Sequence, residues 1–333
     1  MKILFDATEP EEQTLYNEVL AGNDIRFLDT SLTTPQDDMK DAEVLSVFVS
    51  STVSRAMIET MPNLKCIATR SMGFDHIDKE AAKERGIAVV YVPSYGTRTV
   101  AEFAFALILA LSRKAYAAYD LLRSEGSVDV KRFEGFDLSG KTIGVVGTGK
   151  IGKNMARIAK GFNMNVLLCD TFHDDAFAQE IGCSYFSLDE TVAQSDIVSL
   201  HVPLMPATKH MINAQVLAQF KRGSMLINTA RGGLIETRAL VEALNAGVLG
   251  SAGLDVIEGE KALFDEMSLL TGSHPVTDFE ELVAAHALVD MPNVIVTPHI
   301  AFNTREAKHE IASTTAQNIA SFIGGTPQNT IPA

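Results

Sequence analysis

The residues that could do chemistry in this chain follow three apolar, β-rich segments. Arg231 comes two residues after the first segment, and His299 comes two residues after the third. Asp255 lies at the end of the second segment, and Glu258 and Glu260 follow it. The segments are predicted to be strands: Ser224–Thr229, Leu249–Val256 and Asn293–Thr297. Because parallel strands have their carboxyl ends at the same edge of a sheet, these side chains are predicted to lie near one another.

An arginine, a carboxylate and a histidine at one sheet edge suit the chemistry of a 2-keto acid. A guanidinium binds a carboxylate through two parallel hydrogen bonds and can polarise a neighbouring carbonyl. A histidine paired with a carboxylate is held in one tautomer and is more readily protonated, so it can donate a proton as a hydride arrives. Taken alone, Arg231 could be a surface arginine, His299 a turn histidine and Glu260 a solvated acid. Their coincidence after successive strands favours the chemical interpretation.

The element that must position these residues is a strand, a glycine turn and a helix with the spacing G-x-G-x-x-G. The turn joins the predicted strand Lys141–Val146 to a helix that begins at Ile151. The three glycines permit, in order, a tight turn, close approach of a pyrophosphate and close helix–strand packing. The helix N-terminus then points its free N–H groups at the phosphates. The predicted cofactor contacts in this turn are Gly147, Gly149, Lys150, Ile151 and Gly152.

An acid at the end of the next predicted strand indicates which dinucleotide is bound. Asn165–Asp170 ends in Asp170, about 20 residues past the glycine turn, where such folds place a carboxylate on the adenosine ribose. A solvated acid at a strand end is the alternative. The residues that follow, Thr171 to His173, include no arginine, so a 2′-phosphate would meet an uncompensated carboxylate. The cofactor is therefore predicted to be NAD and not NADP.

Composition narrows the class of protein and its partners. The chain has 333 residues, 46% of them apolar, which suggests about two domains with ample cores. Its formal net charge of −14 argues against a nucleic-acid partner. The three cysteines have no metal-ligand spacing, so we expect no metal site and reduced thiols in the cytoplasm. No signal peptide or membrane span is expected, because the longest apolar stretch is too short.

Alternation of short apolar strands with helical segments predicts an α/β fold with parallel sheets. The first ninety or so residues form one such unit without a glycine phosphate loop, and its backbone at Arg70–Phe74 could hold a small anion or be a bare turn. The predicted helix Thr99–Arg113 is apolar almost all round, so it is buried in the domain core or in a dimer contact. The segment Lys261–Met291 is predicted to carry a helix around Asp278–Leu288.

Together these motifs resemble the D-2-hydroxyacid dehydrogenase family, closest to its D-lactate dehydrogenase branch. The matching stretches, which span nearly the whole chain, are the glycine turn, Asp170, Asn228-Thr-Ala-Arg231-Gly, Leu254-Asp255-Val-x-Glu258-x-Glu260, Thr297-Pro-His299, Gly73-Phe-Asp75-His-Ile-Asp78 and Val100-Ala-Glu102. The resemblance implies Arg231 as the substrate arginine, His299 as the acid/base and Glu260 as its partner. It also implies cofactor contacts from Asp255, which would bind the nicotinamide carboxamide, and from Val202, Pro203, Thr229 and Ala230.

The same resemblance implies two doubly wound, Rossmann-like domains with the active site in the cleft between them. The substrate domain, flavodoxin-like, would comprise 1–99 plus 300–333, and the NAD-binding domain 100–299. The backbone of Ser71, Met72 and Gly73 would hold the substrate carboxylate. Tyr95 and Phe302 would form a small apolar lid over a methyl group, and the enzyme would be a homodimer.

The resemblance favours reduction of pyruvate to D-lactate with NADH, and three departures from the branch keep other substrates open. Gly96-Thr-Arg98 replaces the usual Ser-Pro-x, Lys261 replaces a proline and Phe103 replaces a histidine. The same chemistry on a longer, hydroxylated or phosphorylated 2-keto acid is therefore the first alternative, and relatives that oxidise phosphite share the Arg/Glu/His set. An NAD-sensing protein like the family's corepressors is the alternative from another class.

Overall fold

The chain folds as two compact units, and the first is built from both of its ends. The computed structural model describes residues 1–126, 129–259 and 279–331. The first unit is Met1–Gly96 with Asn303–Ala333, and the second is Thr97–Phe302. The predicted boundaries after residue 99 and before residue 300 differ by a few residues, because the helix that begins at Thr97 belongs wholly to the second unit.

A five-stranded sheet forms the centre of the first unit. Its strands are β1 (Lys2–Phe5), β2 (Asp24–Phe27), β3 (Val44–Val47), β4 (Cys66–Thr69) and β5 (Ala88–Val90). They lie in the order β2-β1-β3-β4-β5, and every neighbouring pair is parallel. The order of strands changes direction between β1 and β3, because the chain adds β2 on one side of β1 and then β3, β4 and β5 on the other. Open sheets of this kind bind ligands beyond the carboxyl ends of the strands next to such a reversal.

Helices cover this sheet on both faces. They are α1 (Pro10–Val19), α2 (Arg55–Glu59), α3 (Lys79–Glu84) and the last helix of the chain, α12 (Arg305–Ile323). Alternate residues of β1 enter two separate cores, as expected of a strand buried on both faces. Phe5 packs with Tyr16 and Ile319 on one face, whereas Leu4 packs with Leu45 on the other.

A seven-stranded sheet forms the centre of the second unit. Its strands are β6 (Thr142–Val146), β7 (Asn165–Cys169), β8 (Ser184–Tyr185), β9 (Ile197–Leu200), β10 (Ser224–Asn228), β11 (Leu249–Leu254) and β12 (Val294–Val296). All neighbours are parallel in the order β12-β11-β10-β9-β6-β7-β8, with the reversal between β6 and β9. The predicted α/β class with two doubly wound parallel sheets is confirmed.

Eight α-helices belong to the second unit in the described residues, and the long apolar helix is the first of them. They are α4 (Thr97–Ser112), α5 (Ala115–Glu125), α6 (Lys150–Gly161), α7 (Asp175–Ile181), α8 (Leu188–Gln194), α9 (Ala214–Leu217), α10 (Thr237–Asn245) and α11 (Phe279–Asp290). Ala101, Ala104 and Ile108 of α4 are buried in the core of the unit. Leu109 of α4 is exposed, as are Tyr116 and Tyr119 of α5, and a dimer contact of α4 stays a prediction.

Two features of the second unit were not predicted, and one prediction is only partly covered. The two-residue strand β8 is too short to show a periodic pattern, and none of the described side chains of α5 is buried in a core. The helix expected around Asp278–Leu288 is observed as α11, whereas residues 260–278 lie outside the described residues. In the part of the chain that the structure describes, no helix has the length and hydropathy needed to cross a membrane.

Candidate active site

The glycine turn after β6 has the geometry that a pyrophosphate site requires. Gly147 has a φ of 94°, and a Cβ there would lie 2.6 Å from the backbone carbonyl carbon of His201. A Cβ on Gly152 would lie 1.9 Å from the carbonyl oxygen of Gly147, so only glycine lets α6 approach the strand so closely. At Gly149 no other protein atom lies within 4 Å of a Cβ position. The turn is therefore closed on its protein side and open where a ligand would approach.

The residues around this turn fit a dinucleotide. Lys150 and Ile151 are the first residues of α6, whose N-terminal N–H groups have no partners within the helix and can bind phosphate oxygens. Val202 packs against Gly147 and Pro203 follows it in the loop after β9. Thr229 lies just past the end of β10, where its hydroxyl oxygen is buried without a hydrogen-bond partner in the described residues. A buried hydroxyl of this kind is costly unless a ligand supplies a partner, which fits a bound cofactor.

Asp170 lies just past β7 and carries a fixed charge. Its Oδ2 accepts hydrogen bonds from the backbone N–H of Thr148 at 2.6 Å and from the Thr148 hydroxyl at 3.1 Å, and its Oδ1 accepts the N–H of Phe172 at 3.0 Å. Partial burial of Asp170 raises the pKa of its carboxyl, but these hydrogen bonds outweigh it and the net pKa is lowered. The residue is therefore ionised at neutral pH, as a ribose acceptor must be.

Arg231 lies in a loop that two neighbours hold in place. The Asn228 side chain donates to the Arg231 carbonyl at 2.9 Å and accepts the N–H of Ala230 at 3.0 Å. Gly232 lies so close to the next loop that a Cβ there would be 2.1 Å from the Ile257 carbonyl carbon. Arg231 itself donates from Nη1 to the Ala230 carbonyl at 2.8 Å. The arginine is thus presented from a braced loop at the carboxyl end of β10.

His299 follows β12 in a turn that Asp255 organises. The strands β10, β11 and β12 are neighbours, so Arg231, Asp255 and His299 follow adjacent strands at the same sheet edge, as predicted. Asp255 is fully buried, and its carboxylate accepts hydrogen bonds from the hydroxyl of Thr297 and the N–H groups of Ile300 and Ala301. Burial raises the pKa of Asp255, and these donors oppose that rise. The contact of Asp255 with a nicotinamide stays a prediction.

The acids after β11 have different surroundings. Glu258 Oε2 lies 2.8 Å from the ring nitrogen Nε2 of His210. The backbone N–H of His210 donates to the Gly233 carbonyl at 2.9 Å. Three loops, after β9, β10 and β11, are therefore joined beside Arg231. Glu260, the predicted partner of His299, lies outside the described residues. The pairing of Glu258 with His210 was missed because His210 lies in a polar loop with no motif around it.

In the first unit, Ser71, Met72 and Gly73 form the loop that follows β4. Ser71 is buried, and its hydroxyl lies 2.6 Å from the Thr69 hydroxyl and 2.6 Å from the Gly73 carbonyl, which fixes the turn. The N–H of Val92 donates to the Ser71 carbonyl at 3.1 Å. The structure thus gives this loop an ordered backbone, and its contact with a substrate carboxylate stays a prediction.

A buried ion pair supports the same loop and was not predicted. Arg70 is 2% exposed, and its Nη2 donates to Asp6 Oδ1 at 2.5 Å and to the Asp6 carbonyl at 2.6 Å. Asp6 also accepts hydrogen bonds from the hydroxyl of Ser51 and the N–H of Phe48. The loops after β1, β3 and β4 are joined in this way. The only sequence signal was an acid at the end of β1 and an arginine at the end of β4.

The two predicted lid residues belong to different units. Tyr95 is buried in the first unit, with 8% of its surface exposed, and Phe302 is half-buried at the end of the second. Their shared role as a lid stays a prediction. Within the described residues, no cluster of three or more His, Cys, Asp or Glu side chains is arranged to hold a metal ion.

Comparison with known proteins agrees with this geometry. A family model described as the NAD-binding domain of D-isomer specific 2-hydroxyacid dehydrogenases matches residues 105–301. A D-lactate dehydrogenase of Escherichia coli is 38% identical over 309 residues, which cover 91% of each chain. A 2-hydroxyacid dehydrogenase homolog of Haemophilus influenzae is 38% identical over 307 residues, covering 91% of this chain and 89% of the relative.

A solved structure extends the similarity to both units. The crystal structure of D-lactate dehydrogenase from Aquifex aeolicus, complexed with NAD and lactic acid, is similar with a TM-score of 0.90 and 34% identity, covering all of both chains. The predicted family and the predicted cofactor are confirmed. The chain therefore belongs to the D-isomer specific 2-hydroxyacid dehydrogenases and is an NAD-dependent oxidoreductase that acts on a CH–OH group.

Proposed function

We propose that this protein reduces pyruvate to D-lactate with NADH. The observation that carries the proposal is the placement of Arg231, Asp255 and His299 after three adjacent strands of the sheet whose glycine turn fits NAD. The similarity to the D-lactate dehydrogenase of Escherichia coli, and to that of Aquifex aeolicus in complex with NAD and lactic acid, supports pyruvate over other keto acids.

In this proposal each residue has one task. Arg231 binds the substrate carboxylate and polarises the carbonyl, because its planar guanidinium offers two parallel N–H donors. The imidazole of His299 donates a proton to the carbonyl oxygen, and the carboxylate of Glu260 stabilises the protonated imidazole. When bound, NADH supplies the hydride that the carbonyl carbon receives. The backbone of Ser71–Gly73 contacts the carboxylate, and Tyr95 with Phe302 limits the size of the side chain.

The cofactor contacts follow the same logic. Gly149, Lys150 and Ile151 bind the pyrophosphate through backbone N–H groups. The N–H of Gly147 donates to the Cys169 carbonyl at 2.8 Å, so Gly147 and Gly152 contribute by letting the turn and α6 approach the strand closely. The Asp170 carboxylate accepts the ribose hydroxyls. The remaining proposed contacts come from residues that follow β9, β10 and β11: Val202, Pro203, Thr229, Ala230 and Asp255.

A screen of NADH oxidation across 2-keto acids tests the proposal. The purified chain is expected to have its highest kcat/KM with pyruvate and a lower value with longer, hydroxylated or phosphorylated keto acids. Arg231→Lys should lower kcat/KM for pyruvate at least about tenfold while the Kd for NADH stays near that of the unchanged protein. Arg222→Lys, an exposed arginine, is the matched control.

The outcomes separate the alternatives. A preference for another keto acid would assign the same chemistry to that substrate. Binding of NADH without turnover of any keto acid would favour an NAD-sensing protein. Equal loss of NADH binding in Arg231→Lys would make the arginine a structural residue.

We also propose that two copies associate through α5 and that the enzyme works in the cytoplasm. Tyr116, Tyr119 and Leu122 on α5 are 60%, 63% and 55% exposed, an arrangement typical of an interface. The three cysteines are free thiols, as in a reducing compartment. Tyr119→Lys should convert a dimer to a monomer in sedimentation velocity. If both proteins sediment as dimers, the interface lies elsewhere, and if both sediment as monomers, the proposed association is wrong.

A further inference from the structure

A chain of hydrogen bonds connects β8 to the acid that we propose as the ribose ligand. The N–H of Asp174 lies 3.0 Å from the hydroxyl oxygen of Tyr185. That oxygen lies 3.0 Å from Thr148 Oγ1, which lies 3.1 Å from Asp170 Oδ2. The ring of Tyr185 is stacked on the imidazole of His173, with centroids 4.2 Å apart and planes at 6°. The phenol is therefore fixed by contacts at its hydroxyl and on its face.

The direction of every hydrogen bond in this chain follows from the donors available. The Asp170 carboxylate is ionised and can only accept, so the single hydroxyl proton of Thr148 is directed to Asp170. The contact between Thr148 and Tyr185 then needs the proton of the phenol. Tyr185 in turn accepts from the N–H of Asp174, which can only donate. Each group thus donates a hydrogen bond to the next, from the N–H of Asp174 to Tyr185, from Tyr185 to Thr148 and from Thr148 to Asp170.

This chain fixes how Asp170 presents its oxygens. Oδ2 accepts both the N–H and the hydroxyl of Thr148, so its two acceptor positions are filled. Oδ1 accepts the N–H of Phe172 at 3.0 Å, and the ribose hydroxyl of the proposal would approach from its remaining side. Rotation of the carboxylate away from a 2′-phosphate would break these hydrogen bonds. Its charge therefore stays where it attracts a ribose hydroxyl and repels a phosphate.

We propose that Tyr185 and Thr148 are positioning residues that set the preference of this enzyme for NAD over NADP. The proposal rests on the proposed role of Asp170 as the ribose acceptor. Tyr185 acts through its hydroxyl, which keeps Thr148 oriented toward Asp170. Neither residue needs to touch the cofactor for this effect.

The test is the ratio of kcat/KM with NADH to kcat/KM with NADPH, measured at saturating keto acid. Tyr185→Phe keeps the ring stack on His173 and removes only the hydroxyl. Loss of one hydrogen bond should lower the ratio roughly two- to tenfold. The change should appear in the KM for NADH, with kcat at saturating NADH unchanged.

Three further variants separate positioning from general damage to the fold. Thr148→Val should lower the ratio at least as much as Tyr185→Phe, whereas Thr148→Ser, which keeps the hydroxyl, should restore it. In an Asp170→Ala background, Tyr185→Phe should have no further effect on the ratio. Thr14→Val, on the exposed face of α1, is the matched control for Thr148→Val and should leave the ratio unchanged.

Three results would contradict different parts of the proposal. If Asp170→Ala changes the ratio but neither Tyr185→Phe nor Thr148→Val does, the positioning role is wrong and the ribose role of Asp170 stands. If Asp170→Ala leaves the ratio unchanged, the ribose role fails and the positioning role fails with it. A lower kcat together with similar rises in the KM for NADH and the KM for NADPH in Tyr185→Phe would make Tyr185 a purely structural residue.

Discussion

Asp255 holds the backbone of His299 in the left-handed region. His299 has a φ of 55°, and its N–H donates to the Asp255 carbonyl at 2.9 Å. The Asp255 carboxylate accepts the next two N–H groups, from Ile300 and Ala301, at 2.9 and 2.8 Å. Left-handed backbone costs a residue with a side chain on the order of 1–3 kcal/mol, so this conformation persists only because its surroundings enforce it. The backbone position from which the imidazole projects is therefore set by a buried acid.

Asp255→Asn tests this relationship. An amide can accept these hydrogen bonds only through its oxygen, so one of the donors in the turn loses its partner. We expect kcat for keto-acid reduction to fall at least about tenfold, because small displacements of an acid/base group are costly. The Kd for NADH should rise as well, because Asp255 is also a proposed cofactor contact. Asp290→Asn, an exposed acid at the end of α11, serves as the control. A rise in the NADH Kd with kcat retained would show that Asp255 acts on the cofactor and not on His299.

The pair of His210 and Glu258 gives a second prediction. His210 also has a left-handed backbone, with a φ of 51°, and asparagine tolerates that conformation but is too short to reach Glu258. His210→Asn should therefore keep the loop backbone and lower kcat/KM for the keto acid severalfold, on the order of one hydrogen bond. Glu258→Gln should have a smaller effect, and the two changes should be non-additive in a double-mutant cycle.

Lys209→Ala is the matched control for that pair. The Lys209 side chain is 61% exposed, and its Nζ lies 4.0 Å from Glu258 Oε1. Removal of this exposed side chain should therefore change kcat/KM little. Additive effects of His210→Asn and Glu258→Gln would show that the two side chains act separately.

Glu260→Gln addresses the acid/base pair. A carboxylate next to His299 stabilises the protonated imidazole that reduction requires, and a glutamine keeps the shape without the charge. The upper pH limit of pyruvate reduction should move to lower pH, so turnover at about pH 8 falls more than at about pH 6. His299→Gln should be far more damaging and should flatten that limb of the profile. A shift caused by Glu258→Gln and not by Glu260→Gln would assign the role to the other acid.

His201 makes folding stability depend on pH. Burial lowers the pKa of His201 to about 4, whereas an unfolded histidine titrates at about 6.5. Between these values the unfolded chain binds a proton that the folded chain does not. Stability should therefore fall as pH falls from about 6.5 to 4, by up to about 1.4 kcal/mol per pH unit from this residue.

Urea unfolding at several pH values measures this dependence. His201→Gln should make the free energy of unfolding less steep in this pH range, whereas His309→Gln, an exposed histidine on α12, should not. Equal slopes for the unchanged protein and His201→Gln would show that His201 has the same pKa in the folded and the unfolded chain.

Much of the fold and of the candidate site could be predicted because it depends on local patterns. The strand β6, the glycine turn and α6 follow from β-branched residues, glycine spacing and helical periodicity within one short segment. The placement of Arg231 and His299 follows from a further rule, that parallel strands share an edge at their carboxyl ends. The strand β8 was missed because two residues are too few to show alternation of apolar and polar side chains. The helix α5 was missed because its described side chains form no buried stripe.

By itself the sequence determined the α/β class, the dinucleotide turn, the acid after β7 and the residues that end β10 to β12. Only the tertiary structure decided which side chains meet. Thr148 contacts Tyr185 across 37 residues, His210 contacts Glu258 across 48, and Asp6 contacts Arg70 across 64. Such contacts depend on the order of strands in a sheet and on the loops between them, and no local pattern encodes that order. A sequence can therefore show which residues carry the chemistry, while the fold decides which others orient them.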